Sequence, residues 1–256
     1  KFDLIIKLYE KYGIPVIASN INAINLTSDK FNTKKFFEEI GVNTPQYKIL
    51  KKESYKNEDL EFPCILKQAE GQAGRDIVVV NSIEDMDSYF GNFDTALCEK
   101  FIQGSEISLE VLGFKGDFVA LTPLYKGETS LDGTHTLSKI RSGPCEIEGL
   151  DNNDIQQTAL KIIKTLNSDG IFEVEFVYSP ITKEYYAIEI NARPNGTRYL
   201  TTATCGISTM LELVNMACGE FSSDKIKNNL ENYYSIEIPV GNYQGENPCE
   251  PLKSFK

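Results

Sequence analysis

EYYAIEINARPNG, residues 184–196, is a strand-like run of apolar residues in which Glu189, Asn191 and Arg193 recur at every second position. Successive side chains of a strand point to opposite faces, so Ala187, Glu189, Asn191 and Arg193 are expected on one face and Tyr186, Ile188 and Ile190 on the other. One reading of that polar row is a solvent-facing edge whose charges deter aggregation. Upstream lies a second strand-like run, GIFEVEFVYS, residues 170–179, joined to the first by PITK, whose Pro180 suits a turn. It places Phe172, Val174 and Phe176 on one side and Glu173 and Glu175 on the other. If the hairpin sets Glu175 opposite Glu189, two carboxylates stand side by side, which destabilises a sheet unless something cationic lies between them. Magnesium takes hard oxygen ligands, usually one or two carboxylates with waters and substrate phosphates, and Glu175, Glu189 and Asn191 offer three such oxygens. A solvated acidic face remains the alternative.

Two more stretches carry chemistry-bearing residues. In CILKQAEGQAGRDIVVV, residues 64–80, Lys67 ends one apolar strand and a loop of Glu70, Gly71, Gln72, Ala73, Gly74 and Arg75 leads into another. Glycines let such a hairpin fold its amides over an anion. It is not a Walker loop, because the glycines join two strands rather than open a helix and Lys67 precedes them; a plain glycine-containing hairpin fits as well. In LCEKFIQGSEISLEV, residues 97–111, a strand ends at Glu99, Lys100, Phe101 and Ile102, turns at Gly104 and restarts at Glu106. Such a segment can offer backbone amides and carbonyls to an adenine edge and Glu106 to a ribose, and it also reads as a hinge between two layers.

The other elements follow from periodicity and caps. Residues 1–12 read as a helix end and Ile14–Ala18 as a short strand. Thr27 or Ser28 is expected to cap a helix to about Ile40, stopped by Gly41. Strands are expected at residues 47–50, 64–68, 76–80 and 96–101 with a helix at 82–89, a small α+β layer. Two strands follow at 107–113 and 118–124, then a polar loop from Lys126 to Gly143, a helix over 153–166, the hairpin already described, a helix over 208–218 and a last strand at 234–240. No internal repeat or low-complexity tract is found.

The 256 residues, 41% hydrophobic and 25% charged, suit one large or two intimate globular domains. Apolar runs such as Ile171–Tyr178 are too short to span a bilayer, so no membrane association is expected. The first residue is Lys, and no basic and apolar leader follows it. A net charge of −11 with scattered lysines argues against nucleic acid as a partner. Six cysteines without a Cys-x-x-Cys pair read as reduced thiols of a cytoplasmic protein. His135, the only histidine, excludes a multi-histidine zinc site and disfavours a Ser-His-Asp hydrolase.

The order of these features, carried by SDKFNTKKFFEEIGVNTPQY (28–47), LCEKFIQGSEISLEV (97–111) and FEVEFVYSPITKEYYAIEINARPNG (172–196), resembles the ATP-grasp superfamily of carboxylate-amine ligases. Within it the chain looks most like carbamoyl-phosphate-synthetase-like ligases, particularly the pyrrolysine-biosynthesis ligase. The resemblance implies an α+β ATP-grasp fold whose two subdomains clamp ATP: residues 1–26 as the remnant of an N-terminal α/β domain, 27–45 a helical connection, 46–101 the small lid, 102–220 the larger subdomain and 221–256 a tail. It implies that Lys30 and Lys67 contact the phosphates, that the loop with Gly71, Gln72, Gly74 and Arg75 closes over them, that residues 99–102 hold adenine and that Glu106 binds ribose. Glu175, Glu189 and Asn191 would hold Mg²⁺, or Mn²⁺ in its place, and Arg193 would steady the transferring phosphoryl group. His135, Lys139 and Arg141, and Gly196 with Arg198, are candidates for a substrate carboxylate, although the first three also read as solvated loop residues and the Gly196 stretch as a glycine turn into a helix.

The expected partners are a small-molecule carboxylate and an amine, with a homodimer or a subunit supplying the N-terminal domain. The expected reaction is ATP-dependent activation of the carboxylate as an acyl phosphate and its coupling to the amine, an amino acid in the first instance. A carbamoyl-phosphate-type subunit acting on bicarbonate or carbamate is the second reading, and a catalytically silent ATP-binding module the third.

Overall fold

A computed structural model of the chain describes residues 7, 9–70, 77–131 and 139–239. Residues 9–11 are helical, as expected of a helix end there, and two helices follow, α1 (Ile21–Ser28) and α2 (Lys30–Glu39). The sequence pointed to Thr27 or Ser28 as the cap of one helix. Asp29 caps α2 instead, its carboxylate accepting from the amides of Phe31 (2.8 Å) and Asn32 (3.1 Å). The hydroxyls of Thr27 and Ser28 turn back to α1 carbonyls. Residues 14–18, expected as a strand, run to Asn20, the cap of α1, without strand pairing.

A four-stranded antiparallel sheet follows, in the order β1 (Tyr47–Lys51), β4 (Thr95–Lys100), β2 (Cys64–Lys67), β3 (Val78–Val80), with α3 (Ile83–Phe90) against it. Its core holds Leu50, Leu66, Val80, Met86, Tyr89 and Phe90. The second sheet runs β10 (Glu184–Asn191), β9 (Gly170–Ser179), β5 (Ser105–Phe114), β7 (Leu124–Glu128), β8 (Arg141–Gly143), β11 (Ser235–Glu237), with β6 (Asp117–Ala120) also paired to β5. The run expected as one strand over 118–124 is interrupted before Pro123, which has no N–H for a ladder. The loop expected from Lys126 to Gly143 instead contributes the end of β7 and all of β8.

Helix α4 (Asn152–Leu166) presents Ile155, Ala159, Ile162 and Ile163, a helical stripe, to Leu109, Val111, Phe172, Val174 and Phe176 on one face of this sheet. Helices α5 (Arg198–Cys205), α6 (Thr209–Cys218) and α7 (Ser223–Asn228) complete the described fold; α5 accords with the reading of Gly196 as a turn into a helix, and α7 was not anticipated. The brevity of α7 leaves too few turns for a periodic signal. Among the described residues no helix is long and apolar enough to cross a membrane. Cys64, Cys98, Cys145 and Cys205 are buried free thiols and Cys218 is exposed.

The β9–β10 hairpin sets Glu189 opposite Glu175 and Asn191 opposite Glu173. A bulge between Ala187 and Glu189 changes the phase of β10. Ala187, expected beside Glu189, pairs with Phe176 and lies in the core with Ile190. The extra residue, Ile188, lets the strand keep Ala187 and Ile190 in the core while turning Glu189 and Asn191 to the opposite face.

Candidate active site

That opposite face, across β10, β9, β5 and β7, carries Glu189, Asn191, Glu175, Glu173, Ser108 and Lys126. Lys126 is buried, its Nζ 2.9 Å from Glu175 and 3.7 Å from Glu173. Burial pulls its pKa down, but the two carboxylates more than offset this and raise it. Burial likewise raises the Glu175 carboxyl, and Lys126 outweighs it, so the pKa is lowered. Glu189 is pushed up by burial and by Glu175 opposite. The facing carboxylates are thus driven apart.

Lysines from two other elements converge here. Lys30, at the start of α2, lies 3.6 Å from Glu189, and its backbone amide donates to the Ala69 carbonyl at the end of the β2 segment. Lys34, one turn later on the same helical face, is fully buried, bonded to Thr44 (2.7 Å) and 3.2 Å from Glu99. Burial lowers its pKa to about 8 despite Glu99. Lys67, at the end of β2, is 3.0 Å from the same Glu99 oxygen, and Glu99 and Glu189 raise its pKa against its burial. Glu99, whose segment was expected to hold adenine, therefore directs its side chain to two lysines. Lys100 points away from them to Glu61 (2.7 Å), and the amides of Lys100 and Phe101 donate to the carbonyls of Gln46 and Pro63.

Glu106 and Lys139, expected in separate roles, form an ion pair of 2.8 Å. Gly127, opposite Glu106 with φ +97°, makes room for it: a Cβ there would lie 3.0 Å from the Lys139 chain. Arg141 is buried and bonded to Glu237 of β11 (3.0 Å), and a Cβ on Gly196 would lie 4.0 Å from its guanidinium. Arg198 donates to the Asn195 carbonyl and stacks on Tyr199, 4.2 Å from the ring centroid. Arg193 is exposed just past β10 and donates to the Pro194 carbonyl. Gly71, Gln72, Gly74, Arg75 and His135 lie outside the described residues.

Sequence reasoning missed Lys34, Lys126 and the burial of Glu173. The spacing of Lys34 from Lys30 was a usable signal; Lys126 was hidden by assigning its strand to a loop. The donor set fits a magnesium ion, since two facing carboxylates and an amide supply hard oxygens on one face of the sheet, with Lys30 and Lys126 beside them. Among the described residues no group of three or more His, Cys, Asp or Glu side chains is arranged to hold a metal.

A model of the ATP-grasp domain matches residues 27–197. The chain belongs to this family, that of ATP-dependent carboxylate-amine ligases. It is 59% identical over 251 residues, 98% of its own length and 68% of the relative's, to a carbamoyl-phosphate synthase of Methanobrevibacter smithii. It is 27% identical to a D-alanine--D-alanine ligase of Polaromonas sp., covering 78% of this chain and 65% of that one. Among solved structures, a biotin carboxylase of Campylobacter jejuni in complex with a β,γ-ATP compound superposes with a TM-score of 0.78 at 22% identity, over 95% of this chain and 58% of that one. An L-amino acid ligase of Bacillus licheniformis gives 0.73 at 19%, over 88% and 56%. These two likenesses speak for the fold. The chain spans a little over half of each solved chain and about two thirds of the first two relatives.

Proposed function

We propose that this protein uses ATP to convert a carboxylate to an acyl phosphate and passes the acyl group to an amine. The observation that carries the reading is the facing pair Glu175 and Glu189 with Asn191 beside it, within reach of Lys30, Lys67 and Lys126. Phosphoryl transfer asks a protein mainly for positioning and charge neutralisation, and this face supplies both without a nucleophilic side chain.

Residues 46–101 act as a lid over the larger unit of 102–220. Lys30 and Lys67 hold the phosphates, and the loop with Gly71, Gln72, Gly74 and Arg75 closes on them. The carbonyls of segment 99–102 meet adenine, because the amides of Lys100 and Phe101 are already engaged. Glu106, steadied by Lys139, takes the ribose. Glu175, Glu189 and Asn191 would hold Mg²⁺, which neutralises phosphate charge when bound. A substrate carboxylate oxygen attacks the γ-phosphorus and ADP departs, with Arg193 steadying the transferring group. The amine then attacks the acyl carbon, phosphate leaves, and the amine loses a proton. Arg141, Arg198 and Gly196 border the carboxylate side, with His135 on the same segment as Lys139. The buried free thiols fit a reducing, cytoplasmic setting.

The identity to the Methanobrevibacter relative favours one specific second reading, in which the carboxylate is bicarbonate and the amine ammonia. The deciding test is phosphate release by the full-length protein with ATP and Mg²⁺, supplied with amino-acid pools in one arm and bicarbonate with ammonium in another, beside Glu189→Gln. Release that requires particular amino acids and falls by about two orders of magnitude or more in the variant supports the first reading. Release with bicarbonate and ammonium alone supports the second. ATP binding without release in either arm leaves a nucleotide-binding module and sinks the ligase reading.

A further inference from the structure

Glu173 is buried, has no place in the roles above, and makes more polar contacts than any carboxylate around it. Its Oε2 accepts from Asn191 Nδ2 at 3.0 Å, and its Oε1 accepts from Ser108 Oγ at 2.5 Å. Thr197 Oγ1 stands 3.2 Å from Oε1 and 2.7 Å from Asn195 Oδ1, and Lys126 Nζ lies 3.7 Å from Oε1. Asn191 Nδ2 is also 3.3 Å from Glu175 Oε1. A carboxamide between two carboxylates can present only its nitrogen to them, because its oxygen would meet acceptors with an acceptor. Its oxygen must therefore face away from both.

We propose that Glu173 is a positioning residue: it fixes the Asn191 carboxamide so that Oδ1 is presented as a metal ligand, and ties that ligand to the Asn195–Thr197 turn at the start of α5. Outer groups that orient ligands commonly change metal affinity by about 10–100-fold when removed. This inference rests on the metal role proposed for Asn191, and the test separates the two. A glutamine at 173 keeps shape and burial but can turn a donor amide toward Asn191 Nδ2.

The experiment measures Mn²⁺ binding to the full chain in the presence of ADP by electron paramagnetic resonance, with thermal unfolding and metal-free ADP affinity for every variant. Glu173→Gln is expected to weaken Mn²⁺ binding about tenfold or more while metal-free ADP affinity stays as in wild type. In an Asn191→Ala background the same Glu173→Gln change is expected to cost little further, because no carboxamide remains to be oriented, whereas an effect of charge alone would cost the same in either background. In turnover, the single variant should raise the Mg²⁺ concentration for half-maximal rate more than it lowers kcat. Unchanged Mn²⁺ affinity in Glu173→Gln, or an equal loss in the Asn191→Ala background, overturns the positioning role. If wild type binds no Mn²⁺ with ADP, the metal assignment itself fails and this inference with it.

Discussion

Glu110 faces Glu173 across the β5–β9 ladder, is 1% exposed, and neither of its carboxylate oxygens has a hydrogen-bond partner among the described residues. The nearby Thr201 hydroxyl donates to the Thr197 carbonyl and so has no proton left for it. Burial pushes the pKa to about 8, with Glu173 adding to the shift. Because the folded-state value lies above the unfolded one near 4.5, folding is favoured by the protonated form. That contribution is complete below about pH 4.5 and is lost as pH rises to about 8. Glu110→Gln should therefore flatten the decline of Tm between pH 5 and 8 and raise Tm at pH 9 by roughly 5 °C or more, by thermal unfolding across pH. An unchanged pH profile would show that Glu110 is not held neutral. Residues of this kind are hard to read in a sequence: Glu110 sits in an alternating strand like any surface glutamate, and only the helix laid over it makes it a buried acid. Glu175 and Glu189 were legible because alternation within one hairpin brought them together.

Elements were legible where one rule governed them, as in α4 with its four-residue apolar spacing and the β9–β10 hairpin with its turn proline. They were misread where local chemistry changed the rule. The bulge at Ile188 reversed the face of Ala187, and Asp29 took the cap expected of Thr27 or Ser28. The entry to β5 shows the same dependence on close contact. Gly104 lies where the 99–102 segment becomes a strand, and a Cβ there would fall 1.9 Å from the Tyr178 carbonyl oxygen of β9. Neither backbone can yield without moving the ladder. Gly104→Ala is expected to cost about 1–3 kcal/mol and, by shifting the adjoining segment, to weaken ATP binding several-fold. Chemical denaturation and calorimetric titration would check the two effects, and wild-type ATP affinity in a destabilised variant would separate the segment from nucleotide binding.

Across the whole molecule, the two sheets have separate hydrophobic cores and are linked through α2, which is anchored in the larger core by Phe36 and Phe37, reaches Glu189 of the larger sheet through Lys30 and reaches Glu99 of the smaller sheet through Lys34. Lys67, Lys126 and Lys30 are each engaged with carboxylates. If Mg²⁺ takes the carboxylates and the nucleotide takes the lysines, each releases partners for the other, and coupling between two ligands is reciprocal. ADP affinity should accordingly fall about tenfold or more when EDTA removes Mg²⁺, and Mg²⁺ affinity should fall by the same factor without ADP; calorimetry in both orders measures this, and independent binding would refute it. The lysine–carboxylate pairs also decide when water is lost. Lys67 and Lys126 have already shed their hydration shells during folding, with Glu99 and Glu175 standing in for solvent. On the proposed reading, incoming phosphates would meet ammonium groups that are dry and held in place, and the site would behave as an ion exchanger loaded in advance, in which binding swaps one anion for another instead of stripping a cation of its water.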